Sequence, residues 1–424
     1  MKFLHLADTH IGVENYGRLD PGSGLHTRLQ DFVGCLRFAF EAAIRQRVDF
    51  VVFCGDAYKT CDPTPTHQRE FAAQVRTLVN AGTPVVMVVG NHDNPVSFGR
   101  ASSLNIYGTL AISNVHVIEK PCMLRLKTKS GPVQIVGLPW PTRNVLITKD
   151  EYKDLSDDEI LAQIQRICTG IIEDYAHKLD PAVPAILAAH LACSDAVYSG
   201  SERSAMIGND PVLMTSAVAN PAFDYVALGH IHRHQNLNEH GAPPVVYSGS
   251  IERIDFGEEH ESKGFCLVQI EDCPGDAQAR PTTYEFIEAP ARRFLTIQVP
   301  VDQHQDPTVA ILREVARHNL ENAVVRVIYE VSEAQQHLVD LGRVRAALES
   351  AFLVAGILPK PAPVQHLRRV EVSEDLGVAE ALDRYIANRP ELECLRDDLK
   401  RYAAALEAEL EAPASVGDSP EQNR

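Results

Sequence analysis

Five segments of this 424-residue chain carry side chains that divalent cations favour: Asp8-Thr9-His10, Gly55-Asp56, Gly90-Asn91-His92-Asp93, His190 alone, and Gly229-His230-Ile231-His232. Carboxylate, imidazole and amide oxygen are the donors of metals that activate water for phosphate chemistry, and no thiolate is needed. Two such ions side by side can bind phosphate oxygens and hold a bridging hydroxide in line with the leaving oxygen. They also neutralise the charge that develops in the transition state. The pair needs one carboxylate in common, and Asp56 is the natural candidate. Singly the segments say little. Gly-Asp is common in turns, and a histidine in an apolar run, such as His190, is more often a core residue than a ligand. Gly-His-Ile-His is more specific, because residues two apart in a strand share one face. Gly-Asn-His-Asp is the most specific, and all five together point to one binuclear centre.

The elements that must position these residues are legible beside them. Phe3–Ala7 precedes Asp8, Phe50–Cys54 precedes Gly55, Pro84–Val89 precedes Gly90, Ala185–Ala189 precedes His190, and Tyr225–Leu228 precedes Gly229. Short apolar runs closed by Gly or a polar residue predict buried strands. Ligands at strand ends converge on one crevice, as in open α/β sheets. Helical spacing over Leu29–Gln46 and His67–Ala81 completes an alternating α/β pattern that runs to about residue 285. Further strands are expected at Val133–Leu138, Val245–Ser248 and Gly264–Ile270, and a loop at Cys273–Thr283.

Residues 286–372 predict a smaller β-α-β-α-β unit: strands at Phe294–Val301, Ala323–Val331 and Val364–Val372, helices at Pro307–His318 and Leu338–Leu353. Residues 373–412 change pattern again. Leu376, Ala379, Leu382 and Ile386 recur at helical spacing as far as Pro390, and Leu392, Leu395, Leu399, Tyr402, Leu406 and Leu410 then form a heptad-like stripe. Two readings stand: a helical hairpin folded on its own domain, or a docking element for a partner's helices. Residues 413–424 are polar and read as a disordered tail.

Composition narrows the setting. Nine scattered cysteines without a Cys-x-x-Cys pair argue against a zinc ribbon or a disulfide scaffold and fit a reducing cytoplasm. Lys2, His5 and Asp8 interrupt the first apolar stretch, so no secretory segment is expected there. No run approaches the ~18 apolar residues of a membrane helix. The net charge of −17 argues mildly against a nucleic-acid substrate. Two bound divalent ions would offset it locally, where the ions' own charge dominates.

The five segments resemble the calcineurin-type metallophosphoesterase superfamily. More narrowly, Tyr247-Ser-Gly-Ser-Ile-Glu-Arg-Ile-Asp-Phe-Gly-Glu258, followed by Lys263-Gly-Phe265, is similar to the SbcD family of bacterial nuclease subunits, relatives of the Mre repair nucleases. The resemblance covers about residues 1 to 270, and beyond that only position and pattern. It implies an α/β four-layer sandwich, two mixed sheets flanked by helices, with a small α+β capping domain and C-terminal helices. It implies two divalent ions, manganese preferred and magnesium the alternative. One ion would be held by Asp8, His10, Asp56 and His232, the other by Asp56, Asn91, His190 and His230. His92 would stabilise the transition state or protonate the leaving oxygen, with Asp93 orienting it. The family's partner is an SbcC-like coiled-coil ATPase, in a heterotetramer that contains a homodimer of the nuclease. Its substrates are double-stranded DNA ends and hairpins, processed in repair, recombination and replication.

Archaeal relatives carry a histidine where this chain has Lys59, which leaves the balance of exonuclease and endonuclease action open. Arg18, Arg28, Lys59, Arg100, Arg143 and Arg233 flank the motifs and are candidate phosphate contacts, for which positive charge and reach suffice. Arg253 is also near, but its neighbours predict a tight turn and a structural role. The competing readings are a phosphoesterase acting on nucleotides or cyclic nucleotides, and a non-catalytic scaffold that recruits the ATPase. The extra domain counts against the first and the intact ligand set against the second.

Overall fold

Strands with both faces covered need apolar residues at every position, and Phe50–Cys54 and Val85–Val88 meet that requirement with every residue buried. In the computed structural model, which describes residues 1–95, 99–142, 155–200, 210–272, 280–301, 305–361, 377–387 and 389–411, they lie in a sheet of six strands. Its spatial order is Thr282–Glu288, Gly264–Ile270, Lys2–Leu6, Phe50–Cys54, Val85–Val88 and Val115–Ile118. The last four are parallel, and the two late strands join antiparallel beside Lys2–Leu6. A second six-stranded sheet runs Gln235–Asn236, Val245–Tyr247, Tyr225–Gly229, Ala185–His190, Gly131–Leu138 and Cys122–Thr128. Tyr225–Gly229 is parallel to both of its neighbours, and the two edge strands are antiparallel to theirs.

The pleat decides which core each residue enters. Phe3 and Ala7 point between the sheets, where they meet Phe50, Val52, Ile186, Ala188, Tyr225 and Ala227. Leu4 and Leu6 point outward to Phe32, Leu36 and Phe40 of the helix Thr27–Arg45. The helix Pro65–Asn80 covers the same face, started by Thr64, whose hydroxyl accepts from His67 N at 3.3 Å, and by Pro65 in its first turn. On the far side, Ile160, Ile164, Cys168 and Ile172 of the helix Asp157–Ala176 pack on Leu187, Val226 and Val245. Ser156 and Glu159 close a reciprocal cap at that helix's start. Helices, sheet, sheet and helix make four layers, the sandwich of two mixed sheets that the resemblance implied.

A third sheet orders Arg293–Pro300, Ala323–Val331 and Leu353–Pro361, with the helices Pro307–Val315 and Leu341–Ala347 packed on it. The helix expected over Leu338–Leu353 therefore stops at Ala347, and Leu353 instead opens a strand. A short apolar run carries no period long enough to separate the two states. The strand expected at Val364–Val372 lies outside the described residues, as does the tail 413–424. Phe256, Phe294 and Val324 join this layer to the rest, with Tyr16 and Phe352 against them.

The chain divides into two units, Met1–Lys360 and Pro361–Arg424. In the second, the helices Val378–Ala387 and Arg396–Glu411 flank a 3-10 turn at Pro390–Leu395. Asp383 ties them together by accepting from Arg396 at 2.8 Å. Leu392 and Leu399 are half-buried, Leu395, Tyr402 and Leu406 are exposed, and Leu410 falls in the last turn. Among the described residues, no helix is long and apolar enough to cross a membrane.

Candidate metal centre

All five segments meet where the parallel strands end. The backbone there is unusual: Asp8, His10, Asp56 and His230 have φ of 53°, 40°, 59° and 101°. Left-handed backbone at residues with a side chain costs energy and clusters at functional sites. The loops are also packed against one another. A side-chain carbon on Gly90 would lie 2.1 Å from Asp56 Oδ1, and one on Gly55 would lie 2.3 Å from His190 Nδ1. These two glycines are the reason the loops can approach so closely.

The donor atoms converge. Asp8, His10 and His232 can offer atoms within 4.8 Å of one another, as can Asp8, Asp56 and His190, and His10, Asp56 and His92. Asp56 Oδ2 lies 3.4 Å from His190 Nε2 and 3.7 Å from His10 Nε2, between the two halves of the cluster. Asn91 Oδ1 lies 2.8 Å from His190 Nε2 and 3.1 Å from His230 Nδ1. Asp8 accepts from the backbone N–H of His230 at 3.0 Å. Trp140 lies over His230, ring centroids 4.6 Å apart.

Hydrogen bonds on the outer side of the rings show what the inner side is for. The Cys54 carbonyl, 2.6 Å from His190 Nδ1, can only accept, so that nitrogen carries the hydrogen and Nε2 faces inward as a lone pair. Glu258 Oε1, 2.7 Å from His232 Nδ1, does the same for His232. His190 Nε2 then meets the Asn91 and Asp56 oxygens, and His232 Nε2 faces His10 Nε2 at 3.0 Å. The cluster is therefore built to surround positive charge, and divalent cations fit it. The acid–base balance agrees. Burial disfavours the charged form of His190, but Asp56 outweighs it and raises the pKa to about 9, so without a metal a proton takes the inner nitrogen in place of a cation. Burial raises Asp8 to about 7 against the pull of His190 and His232. Burial also works against the Asp56 carboxylate, yet the surrounding histidines hold its pKa well below the usual range.

His92 stands apart from these buried groups. Its ring is exposed, its Nδ1 lies 2.8 Å from the Lys59 carbonyl, and its backbone N–H donates to Asp56 Oδ1 at 2.9 Å. The expectation that Asp93 orients it needs correction. The Asp93 carboxylate accepts from the N–H groups of Asp56, Ala57 and Gly90 at 2.8, 3.1 and 3.1 Å, and from the Ser103 hydroxyl at 3.0 Å. It fastens the loops that carry the ligands, and the Lys59 carbonyl holds His92.

The basic residues separate in the same way. Arg18, Lys59 and Arg233 are exposed, and Arg100 is exposed but paired with Asp62 at 2.8 Å. Arg143 lies outside the described residues. Arg28 is no surface contact: it is fully buried, donating to Asp31 at 2.8 Å and to the Arg253 carbonyl, with Phe32 and Phe294 against it. Arg253 donates to the carbonyls of Arg292 and Glu261, a structural role. Sequence reading missed Glu258, Lys263 and Trp140 as parts of the centre. Glu258 and Lys263 stand in the most distinctive motif of the chain, which was the available signal.

Two solved structures share the general likeness. A dimetal phosphatase from Danio rerio is 13% identical, with 63% of this chain and 92% of that one covered, at a TM-score of 0.39. The Thermus thermophilus protein TT1561 is 14% identical, with 66% and 97% covered, at a TM-score of 0.34. The family model of calcineurin-like phosphoesterases matches residues 1–234, the stretch that supplies every residue of the ligand cluster, and the chain belongs to that family.

Proposed function

We propose that this chain is the nuclease subunit of a DNA end-processing complex: a 3′→5′ exonuclease on duplex ends and an endonuclease at hairpins, serving repair and recombination in the cytoplasm. Its family works with a dinuclear divalent metal centre. Asp8, His10, Asp56 and His232 would hold one ion and Asp56, Asn91, His190 and His230 the other, manganese by preference. Bound there, the ions would supply a hydroxide nucleophile and neutralise phosphate charge. His92, its Nδ1 engaged by Lys59, has its other nitrogen available to protonate a leaving oxygen.

One observation carries the preference for DNA over a small substrate. The third sheet is fastened to the segment that borders the metal ligands. Glu259 accepts from the backbone N–H of Thr296 at 2.7 Å, Phe256 packs edge-on against Phe294, and Arg253 donates to the Arg292 carbonyl at 3.1 Å. A nucleotide-sized ligand needs no such extension of the rim, whereas a duplex does. The exposed helix stripe at Leu395, Tyr402 and Leu406 fits docking on an SbcC-like coiled-coil ATPase, with two copies of each subunit in the complex.

The test compares Mn2+-dependent hydrolysis of linear duplex DNA with that of nucleotide monophosphates and cyclic nucleotides, with and without chelator. Release of nucleotides from DNA ends, lost on chelation, is expected. Turnover confined to the small substrates would favour the nucleotide phosphoesterase, and activity unaffected by chelator would remove the metal centre from the account.

A further inference from the structure

Glu258 and Lys263 supply no ligand to the centre, yet both are fully buried beside His232. Glu258 Oε1 lies 2.7 Å from His232 Nδ1. Its Oε2 accepts from the Ile254 N–H at 2.9 Å and from Lys263 Nζ at 2.9 Å. Lys263 Nζ donates in turn to the His232 carbonyl at 3.1 Å and to Glu261 at 2.9 Å. The contacts close a ring from the imidazole of His232, through Glu258 and Lys263, back to the backbone of His232. A buried ion pair of this kind is weak evidence for stability, because desolvation offsets its attraction. Its value here lies in direction: a carboxylate on the outer nitrogen fixes the tautomer and ring orientation and makes the inner nitrogen a better donor. Lys263 pairs with the other oxygen of that carboxylate and holds it in place. Across the cluster, His190 has only the neutral Cys54 carbonyl in the corresponding place.

We infer that Glu258 and Lys263 are positioning residues for one ion only, the one at His10 and His232, so that the two metal positions are unequal by construction. This rests on the binuclear reading above, and the experiment separates the two. Calorimetric titration of the full chain with Mn2+ alone should show two ions bound to the wild type. Glu258→Gln keeps the size of the side chain, but it places an amide NH2 against either His232 Nδ1–H or the Ile254 N–H and Lys263. It should weaken one ion by roughly 10- to 100-fold and leave the other unchanged. In metal-free protein labelled with 15N-histidine, His232 should be the Nδ1–H tautomer in the wild type and lose that preference in Glu258→Gln. Equal weakening of both ions, or no weakening, would overturn the inference while leaving the centre intact. Failure of the wild type to bind Mn2+ would overturn the binuclear reading and this inference with it. If Glu258→Gln does not fold, the wild-type tautomer decides alone, and an Nε2–H form of His232 refutes the proposal.

Discussion

Asp56 and His92 are neighbours with different duties, and substitution should tell them apart. The Asp56 carboxylate reaches toward His10 and His190 with one oxygen and accepts from the His92 backbone with the other. Asp56→Ala should therefore abolish Mn2+-dependent hydrolysis and empty or disorder both metal positions, with circular dichroism unchanged. His92→Gln should keep two ions by calorimetry and lose about 10²–10⁴-fold in turnover, the usual contribution of a general acid. An ion lost with His92→Gln would make it a ligand; near-normal turnover in Asp56→Ala with two ions bound would remove Asp56 from the bridge. The candidate ligands were legible in the sequence because they stand at or just past the end of an apolar run, where a polar group is conspicuous. Arg28 and Glu258 were not legible in this way. A lone charge in a sequence looks like a solvated one, and only the packing of Phe32 and Phe294 on Arg28, or of His232 on Glu258, shows otherwise. Asp93 was misassigned for another reason: its role came from the resemblance, whereas here its carboxylate accepts from the N–H groups of Asp56, Ala57 and Gly90.

The strand Lys2–Leu6 was legible as an element, and its alternation of cores follows from the pleat. Its one polar interior residue, His5, could not be assigned a place from sequence. It lies buried between the sheets with Tyr225 Oη at 3.2 Å and the Leu228 carbonyl at 3.1 Å. Burial lowers its pKa from 6.5 to about 3, against the opposing effect of the Leu228 carbonyl. The unfolded chain therefore takes up this proton below pH 6.5, and the folded chain does not until about pH 3. Stability should fall as pH drops through that window, by up to ~1.4 kcal/mol per pH unit. His5→Leu removes the group, so the difference in urea-unfolding free energy between variant and wild type should be constant above pH 7 and shift in favour of the variant below pH 6. A difference that stays flat down to pH 4 would mean that His5 is already charged in the folded strand. The third strand of the small sheet shows the opposite case. Leu353–Pro361 was not expected: only Leu353 falls in the run read as helix, and the third strand was sought at Val364–Val372, because pairing partners rather than local pattern decide such a segment.

At the scale of the molecule, the division at Lys360 makes the terminal helices a separable unit. Deleting residues 373–424 should leave a folded chain that binds Mn2+ as the undeleted chain does, yet, on the function proposed above, no longer captures the proposed coiled-coil ATPase in a pull-down. In the full chain, Leu399→Glu with Leu406→Glu should have the same effect, since association of helices rests on a few apolar anchors. Loss of the folded signal on truncation would assign the helices to the chain's own core, and undiminished capture would place the docking surface elsewhere.

The order in which the first sheet is assembled sets a timetable. Lys2–Leu6 is made before the other strands of its sheet, but its place is between Phe50–Cys54 and Gly264–Ile270, and it pairs with both. The carboxylate behind His232 also arrives late, at Glu258. No nascent chain shorter than about Ile270 can close the sheet that displays Asp8. The strand that displays Asp8 thus waits, half-paired, until a segment more than 250 residues later in the chain seats against it.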